Sequence, residues 1–401
     1  MRIPYTSPLP PPLIIPPSAA TKHGAINALA HFLTTPFPTA VPTGNPNEDV
    51  GTNKTALLTG AGISVASGLA DYRGRNGTYT QNKSYRPIYY HEFVASHESR
   101  KRYWARSFLG WRGLHRAGPN TAHFAIRDLG RLGIVGNVVT QNVDSFHSLA
   151  HPNLPCVELH GFLRSLVCLS CRRLTDRDVF QTQLAELNPA WATFLQELLH
   201  SGALDTENPE ERRRKGLRTN PDGDADVPGA PYMTFRYPAC PNCLTRPPIL
   251  PDGSKGHVSV DADGAWIPSL DTPNGVGVLK PNVIMFGESI PAPVKAAAEA
   301  AIDAASKVLV VGSSLATYSA WRLVKRAHDR GMGIGILNLG GVRKEEVFFG
   351  EGGRHLHGNI QCASGSMGNT GLGKMRREVV RASLAAEEVL PGVVDLIRGQ
   401  R

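Results

Sequence analysis

Residues 138–171 read VVTQNVDSFHSLAHPNLPCVELHGFLRSLVCLSC, and this stretch decides how the rest of the chain is interpreted. It opens with a β-branched run at 138–140, which predicts a short strand, and polar residues follow at once at 141–144. In α/β proteins, ligand-binding groups lie directly after the carboxyl ends of strands. His160 follows, beside a glycine that lets the backbone approach a ligand closely. The stretch therefore predicts a ligand site at one edge of a sheet.

The position of His160 allows two interpretations. An imidazole downstream of Asn142 and Asp144 can act as a general base, with an amide and a carboxylate as positioning groups. A single histidine at a strand end is also common as a purely structural residue. The residues alone leave both interpretations open.

Two Cys-x-x-Cys pairs predict a metal site. Cys168 and Cys171 form the first pair, and Cys240 and Cys243 form the second. Four thiolates complete a tetrahedral shell around Zn²⁺ without an open position, which is typical of a structural site. The gap between the pairs is longer than the roughly 15–20 residues of common zinc ribbons. The alternative, four unrelated buried cysteines, requires both spacings to arise by chance.

Composition limits the choice of partners. The chain has 401 residues, enough for a substantial core, and a formal net charge of +9. Its basic residues are dispersed, and the one run, at 212–215, follows two glutamates in a polar insert. Nucleic acid is not favoured, because no basic stripe is interleaved with aromatic residues. No apolar run approaches transmembrane length, so we expect no membrane partner.

Residues 1–50 are rich in Pro, Ser, Thr and Ala, with no acidic residue before Glu48. Such a composition predicts a disordered or extended tail. Scarce acid is also typical of an organelle transit peptide, although few arginines are present and proline opposes an amphipathic helix. We therefore expect the mitochondrial matrix, with nucleus and cytoplasm left open.

A glycine-rich turn, Gly60-Ala61-Gly62-Ile63-Ser64, follows a short buried strand at 56–58. Backbone N–H groups in such a turn can hold an anion, although many strand-to-helix turns need glycine for geometry alone. The dehydrogenase fingerprint G-x-G-x-x-G is not completed, since Val65 takes the last glycine position. The ribose-binding acid expected about 20 residues later is also missing from 80–84. A dehydrogenase is therefore disfavoured.

The second half of the chain alternates strands and helices between residues 294 and 338, which predicts a parallel sheet. Gly312-Ser313-Ser314 and Asn338 follow two of these strands, where such sheets bind nucleotides. Residues 201–232 and 245–276 are polar or rich in Gly, Pro and Asp, and we interpret them as inserts or long loops. The last helix is predicted at 376–388.

Taken in order, these motifs resemble the sirtuins. The resemblance covers residues 55–340, with a looser tail to 391. Arg102-Tyr103-Trp104-Ala105-Arg106 and Tyr318-Ser319 are similar to the class II branch, which includes a mitochondrial member with lipoamidase and ADP-ribosyltransferase activity.

The resemblance implies an α/β fold, in which a Rossmann-like parallel-sheet NAD domain carries a smaller zinc-binding module. The catalytic domain would span 51–395, with the zinc module inserted at about 162–278. NAD and an acyl-lysine protein substrate would meet between the two parts. One structural Zn²⁺ would occupy the four cysteines.

The resemblance also implies roles for individual residues. His160 would be the base and Asn142 a second catalytic residue, whereas Ala386 stands where relatives place an adenine-contacting cysteine. The residues implied in cofactor binding are Gly60, Ala61, Gly62, Ile63, Ser64, Asp71, Tyr72, Arg73, Tyr79, Gln141, Asn142, Val143, Asp144, Gly312, Ser313, Ser314, Asn338, Leu339, Gly340 and Ala386.

The implied reaction removes an acyl group from lysine. The acyl oxygen attacks the ribose anomeric carbon as nicotinamide leaves, and His160 takes a ribose hydroxyl proton so that this hydroxyl attacks the imidate. The products are nicotinamide, O-acyl-ADP-ribose and free lysine, and the peptide would add as a strand near 283–288. Two other functions stay open: a non-catalytic NAD-binding sensor and a zinc-ribbon binding module.

The acyl group is predicted from a missing arginine. Sirtuins that remove succinyl groups resemble one another in a Tyr-x-x-Arg pair, which we match to Tyr79 and Asn82. Asn82 lacks the bidentate fork of an arginine, and Lys83 is one position out of register. We therefore expect weak activity on succinyl-lysine and better activity on neutral, longer acyl groups, lipoyl among them.

Overall fold

The computed structural model describes residues 9–36, 53–81, 85–202, 218–219, 224–227, 229–250, 252–269, 275–350 and 378–400. Its strands are β1 (Thr55–Thr59), β2 (Val135–Thr140), β3 (Cys156–Glu158), β4 (Gly161–Cys168), β5 (Leu174–Asp176), β6 (Arg218–Thr219), β7 (Ala225–Asp226), β8 (Leu279–Val283), β9 (Lys307–Val311), β10 (Gly333–Leu337) and β11 (Val379–Ala382). Its helices are α1 (Lys22–Thr34), α2 (Thr78–Gln81), α3 (Tyr90–Ala95), α4 (His97–Arg116), α5 (Thr121–Arg131), α6 (Phe146–Ala150), α7 (Arg177–Leu187), α8 (Pro189–His200), α9 (Pro241–Thr245), α10 (Ala292–Asp303), α11 (Tyr318–Asp329), α12 (Glu346–Phe349) and α13 (Ala386–Gly399).

A six-stranded sheet in the order β11-β10-β9-β1-β2-β3 forms the centre of the fold. All of its strand pairs are parallel. The three central strands β1, β9 and β10 are buried along their whole length, because helices cover both faces of the sheet. The predicted α/β class and parallel sheet are confirmed. The turns after these strands meet at one edge, where the predicted ligand site lies.

A second, antiparallel sheet in the order β5-β4-β8 lies beside the first. Its core joins the cysteine pairs to the aromatic face of α4, where Trp104, Phe108 and Trp111 are buried. The Trp104 ring packs against Phe180, with 4.6 Å between ring centroids. These α4 aromatics are therefore part of a hydrophobic core.

The prediction of a disordered or extended tail at residues 1–50 is wrong for residues 9–36, which include a packed helix. Helix α1 buries Ala25, Leu29, Phe32 and Leu33 against α13. These positions are spaced i, i+4, i+7 and i+8, an apolar stripe that the surrounding prolines obscured. Lys307, at the start of β9, donates hydrogen bonds to backbone carbonyls at the end of this helix. Residues 1–8 and 37–52 lie outside the described residues.

The carboxyl-terminal prediction is wrong in part. Residues predicted as helix at 376–388 include β11, and α13 begins only at Ala386 and contains Pro391. Val380 and Ala382 are buried in a core beside the parallel sheet. This burial stabilises the segment as a strand, a conformation that β-branched residues such as Val380 favour. Among the described residues, none of the helices combines the length and apolar character needed to cross a membrane.

Candidate functional site

A cleft of about 640 Å³ lies between the carboxyl ends of the parallel strands and the antiparallel sheet. Of the predicted site residues other than the cysteines, all line this cleft except Ile63 and Ala386. Ile63 is fully buried in the core beneath the glycine turn, and Ala386 is 4% exposed in the same core at the start of α13. The side chain of Ala386 therefore packs into the protein interior, away from the cleft.

Two glycine turns touch each other at the floor of the cleft. The Gly62 N–H donates to the Gly312 carbonyl over 2.9 Å. A Cβ atom at Gly62 would lie 2.8 Å from that oxygen, and Gly312 has a φ of +60°. Both positions therefore require glycine, the first for space and the second for backbone conformation. The turn after β1 continues as a 3₁₀ helix, Ala61–Ser67, where an ordinary α-helix is more usual.

Ser64 links the amide and the carboxylate that the sequence placed after β2. Its Oγ donates to Asp144 Oδ2 over 2.7 Å and accepts from Asn142 Nδ2 over 3.1 Å. The Phe146 N–H donates to the other Asp144 oxygen. Burial raises the pKa of Asp144, and these hydrogen bonds act in the opposite direction. The amide and carboxylate are thus fixed relative to the glycine turn.

His160 lies in the wall of the cleft and is 5% exposed. Its Nδ1 is 3.2 Å from the Gln141 carbonyl oxygen, and its Nε2 is 2.9 Å from Ser319 Oγ. Burial lowers the pKa of His160 to about 4, while the contact with Gln141 acts in the opposite direction. The imidazole is therefore neutral at physiological pH, as a general base must be.

The Gln141 side chain joins three elements around the cleft. Its Nε2 donates to Ser313 Oγ over 2.7 Å and to the Thr59 carbonyl over 3.2 Å, and its Oε1 accepts from Thr317 Oγ1 over 2.9 Å. Thr317 precedes α11 and was not predicted as a site residue. Its hydroxyl donates to Gln141, so it does not cap its own helix.

Residues 71–79 form a compact loop above the glycine turn. The Gly74 N–H donates to the Asp71 carboxylate, and the Tyr79 N–H donates to the Tyr72 carbonyl. The rings of Tyr72 and Tyr79 stack at 5.8 Å, and the Arg73 guanidinium lies 4.9 Å from the Tyr79 ring centre. Burial lowers the pKa of Arg73 and raises that of Asp71. Tyr79 therefore stabilises the loop itself.

A buried arginine holds the turn after β10. Arg381 is fully buried and donates to the carbonyls of Asn338 and Gly340, as well as to Glu345 Oε2 over 3.2 Å. The amino-terminal segment meets this turn. Leu9 lines the cleft, and a Cβ atom at Gly341 would lie 1.9 Å from the Pro10 carbonyl oxygen.

The cleft also contains a cation, Arg106, that sequence analysis named in a family motif but did not predict as a site residue. Tyr103 and Arg106 line it from α4, and Arg106 Nη2 is 2.5 Å from Asp224 Oδ2, which also lines the cleft. Tyr103 and Arg106 have the Tyr-x-x-Arg spacing that sequence analysis matched to Tyr79 and Asn82. The arginine that was predicted to be missing is therefore present in the cleft, on α4, and the spacing in the sequence was the available signal. Asn82 and Lys83, on which the acyl prediction was based, lie outside the described residues.

The four predicted metal ligands come together beneath the antiparallel sheet. Cys168 Sγ is 3.6 Å from Cys243 Sγ, and Cys171 Sγ is 3.7 Å from Cys240 Sγ. All four sulfur atoms lie within 4.8 Å of one another. Around Zn²⁺ with Zn–S bonds of about 2.3 Å, tetrahedral sulfurs are about 3.8 Å apart, so the cluster fits this ion. Burial raises the pKa of the Cys243 thiol, and a bound Zn²⁺ would offset this by stabilising the thiolate.

Comparison with known proteins agrees with this architecture. Residues 60–319 match the model of the Sir2 family. The chain is 41% identical over 299 residues to the NAD-dependent protein deacylase SIR4 of Batrachochytrium dendrobatidis, covering 73% of this chain and 83% of that protein. It is 34% identical to the NAD-dependent protein deacylase SRT2 of Arabidopsis thaliana, covering 74% and 68% respectively.

A solved complex of Sir2 with a deacetylated p53 peptide and 3′-O-acetyl ADP ribose has the same fold, with a TM-score of 0.51. The sequences are 18% identical, and the alignment covers 92% of this chain and 98% of that one. The family match covers more than half of the chain, and relatives above 30% identity are covered over two thirds of their length. This chain therefore belongs to the Sir2 family, the sirtuins.

Proposed function

We propose that this chain is an NAD-dependent protein-lysine deacylase. The observation that carries the proposal is a neutral, buried imidazole at His160 in the wall of a cleft that also contains the linked amide and carboxylate of Asn142 and Asp144. A non-catalytic sensor has no need of a base held in this way. The relatives named as deacylases support the same activity.

The cleft fits NAD in size and in chemistry. Backbone N–H groups of the turns at 60–64 and 312–314 suit the pyrophosphate, because such turns present donors to anions. Asn338 suits the adenosine ribose, and Arg381 fixes the turn that carries it. NAD supplies the electrophilic ribose carbon from which nicotinamide departs. Asn142 and Asp144 would orient the nicotinamide end of the cleft.

The protein contributes positioning and one proton transfer. With NAD bound, His160 would take a proton from a ribose hydroxyl on Nε2, the ring nitrogen that carries no proton, and so prepare that oxygen to attack the acyl carbon. A correctly placed base is worth ~10²–10⁴-fold in rate. The neighbouring Gln141 carbonyl keeps Nδ1 protonated, because a carbonyl oxygen can only accept a hydrogen bond.

The acyl-lysine peptide is proposed to bind as an extended strand beside residues 283–286. These residues line the cleft, and the Ile284 N–H donates to the His160 carbonyl over 2.8 Å, which ties this segment to the base. Strand addition uses backbone hydrogen bonds and therefore tolerates many target sequences. Acylated proteins are the expected partners.

A panel of acyl-peptides incubated with NAD tests the proposal, with nicotinamide and O-acyl-ADP-ribose as the measured products. We expect product formation that needs both NAD and the acyl-peptide. Binding of NAD without turnover on any acyl group would instead favour a sensor.

We further propose that neutral acyl groups, lipoyl among them, are preferred. The support comes from the ion pair between Asp224 and the Arg106 guanidinium in the cleft. An acidic acyl group must compete with the Asp224 carboxylate for this guanidinium. Ile88, Val283 and Met285 supply apolar surface in the same cleft.

Transfer of ADP-ribose to protein is a separate proposal, which is taken from the family resemblance. Labelled NAD, incubated with protein acceptors in the same panel, tests it.

The proposed compartment is the mitochondrial matrix. Support comes from the acid-poor composition of residues 1–47. Because residues 9–36 pack into the core, we expect import to leave this segment on the mature protein. Cell fractionation with amino-terminal sequencing tests both statements, and a cytosolic or nuclear protein would contradict the first.

A further inference from the structure

The hydrogen-bond partners of His160 define its tautomer. The Gln141 carbonyl accepts only, so Nδ1 carries the proton and Nε2 offers its lone pair. Ser319 Oγ is 2.9 Å from Nε2 and therefore donates to it in the neutral state. In the part of the chain that the structure describes, these are the two hydrogen-bond partners of the ring.

The protonated ring makes a different demand on the same two groups. An imidazolium donates from both nitrogens, so both neighbours must then accept. The Gln141 carbonyl already does so. The Ser319 hydroxyl would rotate from donor to acceptor as the ribose proton passes to Nε2, which frees the Nε2 lone pair for that proton and then accepts from the new N–H. Hydrogen bonds from a charged donor are roughly twice as strong as neutral ones, so the contact with Ser319 favours the protonated ring. The ring is only 5% exposed, so few water molecules can contact it in place of Ser319.

Ser319 is held in place by its own helix. It is the second residue of α11, and the residue before this helix, Thr317, is hydrogen-bonded to the Gln141 side chain. The start of α11 thus contacts both Gln141 and His160, although Ser319 does not itself line the cleft. Its hydroxyl reaches the reaction only through the imidazole.

We propose that Ser319 is a positioning residue for the base, orienting the His160 ring and stabilising its protonated form. This inference rests on the deacylase function proposed above. In this proposal Ser319 acts in the step in which His160 takes the ribose hydroxyl proton. It has no part in the earlier step, in which nicotinamide leaves. A hydroxyl at position 319 is therefore needed for turnover and is not needed for binding.

The test compares Ser319→Thr with Ser319→Val, two β-branched side chains of the same shape that differ in the hydroxyl. We expect kcat of the Val variant to fall about tenfold, the effect of one hydrogen bond lost from a reacting group, with KM for NAD and peptide changed less than about twofold. The Thr variant should stay close to the wild-type protein. Exchange of labelled nicotinamide into NAD should survive in both variants, because it reports only the earlier step.

Three results would overturn the inference. Unchanged kcat in the Val variant would show that the hydroxyl is dispensable, and equal loss in the Thr and Val variants would show an effect of side-chain shape. Parallel loss of exchange and turnover would show general damage to the cleft. If the wild-type protein has no NAD-dependent turnover, the proposed function fails and this inference fails with it, whereas an active wild type with an unaffected Val variant contradicts the inference alone.

Discussion

Arg106 of α4 and Asp224, the residue before β7, form an ion pair of 2.5 Å, and both line the cleft. Their side chains are 8% and 11% exposed, so water screens the pair weakly. Asp226, on β7, is 4.0 Å from Arg106 Nε, and its side chain is 32% exposed. The Arg106 guanidinium, which could bind an acidic acyl group, is thus already paired with a carboxylate of the protein.

Replacing Asp224 should change the acyl preference. In Asp224→Asn the guanidinium loses its nearest carboxylate and can pair with an acidic acyl chain. We expect kcat/KM for succinyl-lysine peptide to rise about tenfold relative to a neutral medium-chain acyl-peptide, ~1.4 kcal/mol of transition-state binding. Asp226→Asn is the matched control and should change the ratio little. A wild-type preference for succinyl over lipoyl and other neutral groups would show that Asp224 does not block Arg106.

The pH dependence of turnover should reveal the low pKa of His160. A base works when it is deprotonated, that is, above its pKa. Burial lowers the pKa of His160 to about 4, so its contribution should be constant near neutrality and be lost only as the pH falls through about 4. Measurements of kcat/KM for NAD against pH check this. A loss of activity centred near the usual histidine pKa of about 6.5 and assigned to His160 would contradict the burial argument.

His160→Tyr should abolish net nicotinamide release while NAD still binds. The phenol cannot accept a proton as the imidazole does, whereas the glycine turns and Asn338 are left in place. Turnover and calorimetric NAD binding are the two measurements. Near-normal turnover would show that another group is the base.

One tightly bound Zn²⁺ per chain is expected. Cys240→Ser removes one of four ligands whose sulfurs lie within 4.8 Å, and we expect loss of zinc and of folded protein. Cys156→Ser is the matched control, because this thiol lies on β3 outside the cluster. Metal analysis and thermal unfolding are the measurements, and active wild-type protein free of zinc would contradict the assignment.

Gly341→Ala should weaken NAD binding through the amino-terminal segment. The new Cβ atom would lie 1.9 Å from the Pro10 carbonyl, so residues 9 and 10 must move away from the turn that carries Asn338. We expect KM for NAD to rise several-fold with KM for the acyl-peptide unchanged. Gly118→Ala, where a Cβ atom meets no neighbour within 4 Å, is the control. An unchanged KM for NAD would show that this segment takes no part in the cofactor site.

The sequence by itself determined the local features of this protein. Strand ends followed by glycine or polar residues, at Thr59, Thr140 and Val311, predicted turns that line the cleft, because such turns depend on backbone geometry within a few residues. The two Cys-x-x-Cys pairs identified the metal ligands for the same reason, since each spacing sets two sulfurs on one short turn.

Tertiary structure decided what depends on residues far apart in the chain. Ser319 reaches His160 across 159 positions, and Asp224 comes from an insert whose composition revealed no partner for Arg106. The α1 helix and the β11 strand are stable because α13 and the parallel sheet cover their apolar residues, a gain that no local pattern contains. Ala386 shows the converse: the family resemblance implied that it binds the cofactor, but the packing of α13 turns its side chain into the core. Local geometry follows from neighbouring residues, whereas burial and long-range pairing exist only after the chain has folded.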